Sequence, residues 1–129
     1  MDYDVVIIGG GPSGLATAIK LAQTFKEKNL DKSICVLEKS AEIGGHILSG
    51  NVFETTALDE LIPDWKEKGA PLDVKVKRDA IKFLINDKYS LPVPSFVMPT
   101  MQNHGNYILS LGNLCSCLLY TSDAADERR

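Results

Sequence analysis

The stretch Asp4-Val5-Val6-Ile7-Ile8-Gly9-Gly10-Gly11-Pro12-Ser13-Gly14-Leu15 changes its period in the middle, and that change decides the fold. Residues 5–8 are a continuous apolar, β-branched run, the pattern of a strand buried on both faces. Three glycines, a proline and a serine break it. From Leu15 the apolar positions recur at helical spacing, through Ala18, Ile19, Leu21, Ala22 and Phe25. Residues 26–33 are polar and charged, as at a helix end and its connection. Ile34-Cys35-Val36-Leu37 is a second buried-strand run, closed by Glu38. Strand, glycine turn, helix and strand make a βαβ unit, whose crossover requires parallel strands. The fold expected is α/β: a Rossmann-like βαβ dinucleotide-binding domain.

Gly9, Gly11 and Gly14 form G-x-G-x-x-G in the context that gives this pattern meaning, after a strand and opening a helix. Gly9 permits the tight turn, Gly11 lets a pyrophosphate approach the backbone, and Gly14 lets the helix pack closely on the sheet. The helix's unpaired N–H groups and positive dipole end then favour phosphate. Glu38 ends the second strand, where a carboxylate accepts hydrogen bonds from ribose hydroxyls and repels a 2′-phosphate, which argues against NADP. The fingerprint alone leaves FAD and NAD open. Ala18, four residues after Gly14, and the second glycine pair Gly44-Gly45 before His46 lean towards FAD.

Elsewhere the sequence carries less. Residues 40–50 read as loop, and Leu58, Leu61 and Ile62 as a short helix stopped by Pro63. Val74 and Val76 alternate with Lys75 and Lys77, as in a strand with one wet face. Phe83-Leu84-Ile85, Asn86-Asp87 and Tyr89-Ser90-Leu91 read as a small β-hairpin extension, with Pro92 and Pro94 confining its second strand to an edge. Tyr107, Ile108, Leu111, Leu114 and Cys115 suggest one face of a final helix. At 129 residues and a net charge of −3, the chain has room for one small domain and no basic surplus for nucleic acid. No apolar run approaches the ~18–20 residues that span a bilayer, and residues 5–8 are too short for a signal-peptide core. Cys35, Cys115 and Cys117 have neither disulfide nor metal spacing, which fits a reducing compartment and gives no metal site.

Three later stretches are more specific: Leu48-Ser49-Gly50; residues 61–72, from Leu61-Ile62-Pro63-Asp64-Trp65 to Ala70-Pro71-Leu72; and Asn103-His104-Gly105-Asn106-Tyr107-Ile108, with Leu111-Gly112-Asn113-Leu114 behind it. With them, residues 2–115 resemble the amino-terminal end of the electron-transfer flavoprotein:ubiquinone oxidoreductase family. The resemblance implies a parent enzyme with one FAD and one [4Fe–4S] cluster, peripheral on the bacterial or mitochondrial inner membrane. Such an enzyme takes electrons from electron-transfer flavoprotein and passes them to ubiquinone. It further implies that Gly9, Gly11, Pro12, Ser13, Gly14, Glu38, Lys39, Gly45 and His46 lie along the FAD. No catalytic residue is assigned, and His104 reads as structural rather than as a proton donor. The cluster's four cysteine ligands are not in this chain.

The family pattern stops near Ser116. Residues 117–129, Cys117-Leu118-Leu119-Tyr120-Thr121-Ser122-Asp123-Ala124-Ala125-Asp126 and onward, resemble the translation of a transposon-type sequencing adaptor. The expected organisation is a truncated, partial FAD-binding domain over residues 1–116 and a non-native tail over 117–129. Leu118, Leu119 and Tyr120 are then not expected to have been selected for packing. Another FAD-dependent reductase or monooxygenase of the same fold, or an inactive nucleotide-binding module, are the competing readings. Such a chain by itself is expected to expose parts of residues 5–8, to be poorly soluble, and to retain FAD weakly or not at all.

Overall fold

In the computed structural model, which describes residues 2–126, strand β1 (Val5–Ile8) lies parallel to β2 (Ile34–Leu37), with Val5 opposite Ile34 and Ile8 opposite Leu37. Helix α1 (Pro12–Glu27) makes the crossover, so the expected βαβ unit is present. Pro12 sits in its first turn, where its missing N–H costs nothing and its fixed φ suits the helix. Two residues past the end of the helix Asn29 takes a left-handed conformation (φ 50°), with the Leu30 N–H returning to the Phe25 carbonyl. Leu15, Ala18 and Ile19 form its buried stripe.

The two-faced burial expected for β1 is only half realised. Val6 is 51% and Ile8 87% exposed, while Val5 and Ile7 are half-buried. Among the described residues, β1 and β2 pair only with each other, and α1 packs against them.

Asp4 latches the start of this pair. Its carboxylate accepts from Lys32 Nζ at 2.7 Å and from the Ser33 N–H and hydroxyl at 2.9 and 3.0 Å. These bonds, the lysine's foremost, lower its pKa to about 2. Because the folded-state value lies below the unfolded one, the latch stabilises above the ordinary carboxylate range and is lost as pH falls towards 2. Asp4→Asn is therefore expected to flatten the decline in stability between about pH 4 and pH 2, measured by urea denaturation across that range.

The second sheet departs from the sequence reading. Strand β3 (Ser49–Phe53), expected as loop in its first residues, pairs antiparallel with β7 (Tyr107–Ser110), and β4 (Val74–Lys75) pairs with the other edge of β7. Tyr107 and Ile108 thus lie on a central strand, not on the final helix. Their spacing with Leu111 fits either structure, and hydrogen bonding to strands on both sides decides it. A bulge between Ser49 and Asn51 absorbs a register shift. Val76 is buried but Val74 is exposed, so the apolar alternation there is only partly used. Helix α2 (Thr56–Leu61) stops before Pro63, as expected.

The hairpin is also present, β5 (Ile81–Leu84) with β6 (Ser90–Val93), and Pro92 pairs with Lys82 in this two-stranded ribbon. The Asn86 carboxamide oxygen accepts from the Lys88 and Tyr89 N–H groups and closes its turn.

Helix α3 (Leu111–Asp126) runs across the expected boundary at residue 116 and packs against α1. Leu118, in the segment expected not to have been selected for packing, is 6% exposed and joins Leu15, Leu58, Ile62, Trp65 and Leu114 in the core. Leu111, Leu114, Cys115 and Leu118 recur at three- and four-residue spacing, which is all a helix needs to extend its buried stripe. Leu119 is partly buried against the core and Tyr120 is exposed. Residues 127–129 of the expected tail, and Met1, lie outside the described residues. Leu118→Ala is expected to cost about 2–5 kcal/mol, as for other buried leucines, and urea unfolding measures it.

Candidate dinucleotide site

Residues 9–14 turn the chain from β1 into α1. The Gly9 N–H donates to the Leu37 carbonyl at 2.7 Å, extending the β1–β2 ladder by one bond. Gly9 then takes φ 105°, a conformation that side-chain-bearing residues rarely adopt. A Cβ on Gly14 would overlap the Gly9 carbonyl oxygen, so the helix reaches the strand end only because Gly14 has none. A Cβ on Gly11 would meet nothing within 4 Å. This is open space beside the backbone, at the position where a phosphate would have to approach. Gly11 is also the N-cap of α1 and supplies no side-chain hydrogen bond. Of the first-turn residues, Pro12 and Ser13 are exposed, and the Ser13 carbonyl accepts from Thr17 Oγ1 at 2.8 Å.

Glu38 reaches across to this turn. Its Oε2 accepts from the Gly10 N–H at 2.6 Å, and its Oε1 from the Ser40 N–H at 2.8 Å. These two bonds, Ser40's first, hold its pKa below the usual carboxylate value, with smaller contributions from the Lys39 N–H and from the nearby His46. An ionised acceptor therefore stands half-buried at the end of β2, tied to the middle glycine of the turn. Each oxygen has a remaining lone pair for a ligand hydroxyl. Sequence reasoning singled out Glu38 but not Gly10 or Ser40. Both act through main-chain N–H groups, whose aim no residue type reveals.

Lys39 follows as an exposed side chain, and Gly45 and His46 lie in the loop of residues 40–47. That loop folds on itself through Gly45 N–H to Glu42 and Ile47 N–H to Gly44 carbonyl bonds of 3.1 and 3.0 Å. The fingerprint glycines, Glu38 and this loop thus gather at the carboxyl ends of two parallel strands, where α/β sheets take ligands. An open phosphate approach, a helix N-terminus and an ionised hydroxyl acceptor suit the ADP half of a dinucleotide. His104 is instead an exposed turn residue leading into β7, in the other sheet.

Among the described residues no three His, Cys, Asp or Glu side chains gather as a metal site, and no helix is long and apolar enough to cross a membrane. The family model described as an NAD(P)-binding Rossmann-like domain matches residues 7–65. The chain is 54% identical to the electron transfer flavoprotein-ubiquinone oxidoreductase of Pseudomonas aeruginosa, over 92% of this chain and 22% of that protein. It is 50% identical to the mitochondrial protein of that name from Arabidopsis thaliana, over 88% of this chain and 17% of that protein. For the mitochondrial protein from Dictyostelium discoideum the identity is 55%, over 97% of this chain and 22% of that protein. The chain spans about a fifth of the length of these curated relatives. Across that span it carries a Rossmann-like dinucleotide-binding unit and is a homologue of the electron transfer flavoprotein-ubiquinone oxidoreductases.

Proposed function

We propose that this chain is the FAD-binding part of an oxidoreductase that takes electrons from electron-transfer flavoprotein and passes them to ubiquinone. The observation that carries the cofactor assignment is the ionised Glu38 carboxylate, bound to Gly10 at the head of α1. It accepts ribose hydroxyls and repels a 2′-phosphate, which disfavours NADP, while Ala18 and the second glycine pair Gly44-Gly45 before His46 favour FAD over NAD. Gly9, Gly11, Pro12, Ser13 and Gly14 take the pyrophosphate, and Lys39, Gly45 and His46 line the cofactor's further course. The bound flavin supplies the electron-carrying ring, and these residues bind and orient it. The names of the relatives support the donor and the acceptor. The parent enzyme acts as a peripheral protein of the bacterial or mitochondrial inner membrane. A [4Fe–4S] cluster takes four cysteine ligands, and the three cysteines here do not provide them.

We also propose that residues 1–116 form a partial FAD-binding domain and that 117–129 are a non-native, adaptor-derived tail. Resequencing the source DNA across the codons for residues 114–117 tests this: a frame that departs from 117–129 supports it, and the same codons in genomic DNA overturn it.

The functional test places residues 2–116 in the P. aeruginosa relative, in exchange for the segment they match. The chimera is expected to purify with bound FAD and to reduce a ubiquinone analogue with electrons from electron-transfer flavoprotein. Glu38→Gln is expected to weaken FAD binding at least about tenfold, because one face of the amide would turn an N–H against the Gly10 or Ser40 N–H. A chimera without flavin, or a Glu38→Gln variant that binds it equally well, overturns the cofactor assignment.

A further inference from the structure

We infer that Gly112 and Ser116, on the amino-terminal turns of α3, position the loop of residues 40–47 for cofactor binding; this rests on the FAD reading above. Gly44 (φ 85°) and Gly112 meet backbone to backbone. A Cβ on Gly44 would lie 2.7 Å from both the Cα and the carbonyl oxygen of Gly112, and a Cβ on Gly112 would lie 3.0 Å from the Gly44 carbonyl oxygen. Neither neighbour is a flexible side-chain end, so a methyl group on either residue forces main chain apart. One turn further on, the Ser116 hydroxyl stands 3.2 Å from the Ile43 carbonyl oxygen and 3.2 Å from that of Gly112. It bonds the loop to the helix across 73 residues of sequence.

The held loop bears directly on the site. Ser40, at its start, donates to Glu38 Oε1, and His46, near its end, favours the ionised form of Glu38. Between them the turns at Gly45 and Ile47 fix the loop's path. Helix α3 touches none of the fingerprint glycines in these contacts, yet it sets where Ser40 and His46 stand relative to Glu38. Gly112 and Ser116 are thus positioning residues, acting through the loop and not on the ligand.

The test uses the same chimera with Gly112→Ala, Ser116→Ala and Ser116→Thr. Three readouts are taken: the FAD dissociation constant of the deflavinated protein by flavin fluorescence, hydrogen exchange at the Gly45 and Ile47 amides, and the urea midpoint. Gly112→Ala is expected to weaken FAD about 10–100-fold and to speed exchange at both amides. Ser116→Ala is expected to weaken FAD about 3–10-fold, and Ser116→Thr, which keeps the hydroxyl, to restore it. If Gly112→Ala prevents folding, the serine pair carries the test. Faster exchange with unchanged affinity overturns the inference, as does a lowered urea midpoint with unchanged affinity and exchange. A parent chimera without flavin overturns the FAD reading and the inference with it; a flavin-loaded parent with unaffected variants overturns the inference alone.

Discussion

Replacing Trp65 by alanine is expected to lower the unfolding free energy by about 3–5 kcal/mol, the range for large aromatic side chains removed from a core. Trp65 is 5% exposed and packs among Leu58, Ile62, Leu72 and Leu118. Its ring meets Tyr107 edge to face, with centroids 6.0 Å apart and planes at 85°. It therefore joins the segment after α2 to the central strand of the second sheet. Its indole N–H donates to Asp59 Oδ1 at 2.6 Å, while Thr55 donates to the other carboxylate oxygen at 2.8 Å. Those two bonds, the indole's first, hold the Asp59 pKa below its ordinary value.

Trp65→Phe separates the two contributions. It keeps most of the ring and removes the donor, so the Asp59 pKa should rise towards its ordinary value. The contribution of that bond is present above the ordinary carboxylate range and disappears as pH falls through the depressed folded-state value. Urea denaturation at neutral pH measures the loss of packing, and carboxyl titration by NMR measures the loss of the bond. A typical domain has about 5–15 kcal/mol of stability in all, so the alanine variant loses a large share of it.

Gly14→Ala should cost about 1–3 kcal/mol and abolish the tight turn on which dinucleotide binding depends. The added methyl would overlap the Gly9 carbonyl oxygen and lie 3.1 Å from the Gly9 carbonyl carbon, so α1 must move away from the end of β1. Gly11→Ala is the informative contrast. Its Cβ enters open space and its φ of −79° suits alanine, so the fold should be unaffected while the methyl obstructs the approach of a phosphate. Urea midpoints and FAD titration of the two variants in the chimera should therefore dissociate. Gly14→Ala impairs both stability and binding, and Gly11→Ala impairs binding alone. Equal effects on stability would contradict the geometry.

The contrast between these glycines also explains what could be read from the residues alone. The β1–α1–β2 unit was legible because its signals are local: a period that switches at the glycine turn and a carboxylate at the end of the second strand. β3 and β7 were not, because Phe53 pairs with Tyr107 across more than fifty residues, and neither strand's composition names its partner. The start of α3 was misplaced for a related reason. The apolar positions 107, 108, 111, 114 and 115 satisfy helical spacing, but pairing with β3 and β4 claims the first two for a strand. At the site, Glu38 was evident by type and position. The backbone amides of Gly10 and Ser40 that hold it, and the contact between Gly44 and Gly112, follow from chain direction and distance, which a one-dimensional pattern does not encode.

The three separate sheets among the described residues also imply an expected order of assembly. In the β5–β6 ribbon Leu84 pairs with Ser90, only six residues away, and the Asn86 turn closes it. Hairpins of this kind form in about 1–10 μs. The β1–β2 pairing must wait for α1, and joining Ser49 to Ser110 is the longest loop closure among the described strand pairings. The ladder that seats Tyr107 against Trp65 is therefore expected to close after the hairpin, and stopped-flow refolding followed by Trp65 fluorescence measures it. Until it forms, Leu109 and Tyr107 lack the strand partners that hold them against the core, so a slower closure is expected to prolong the exposure of that core.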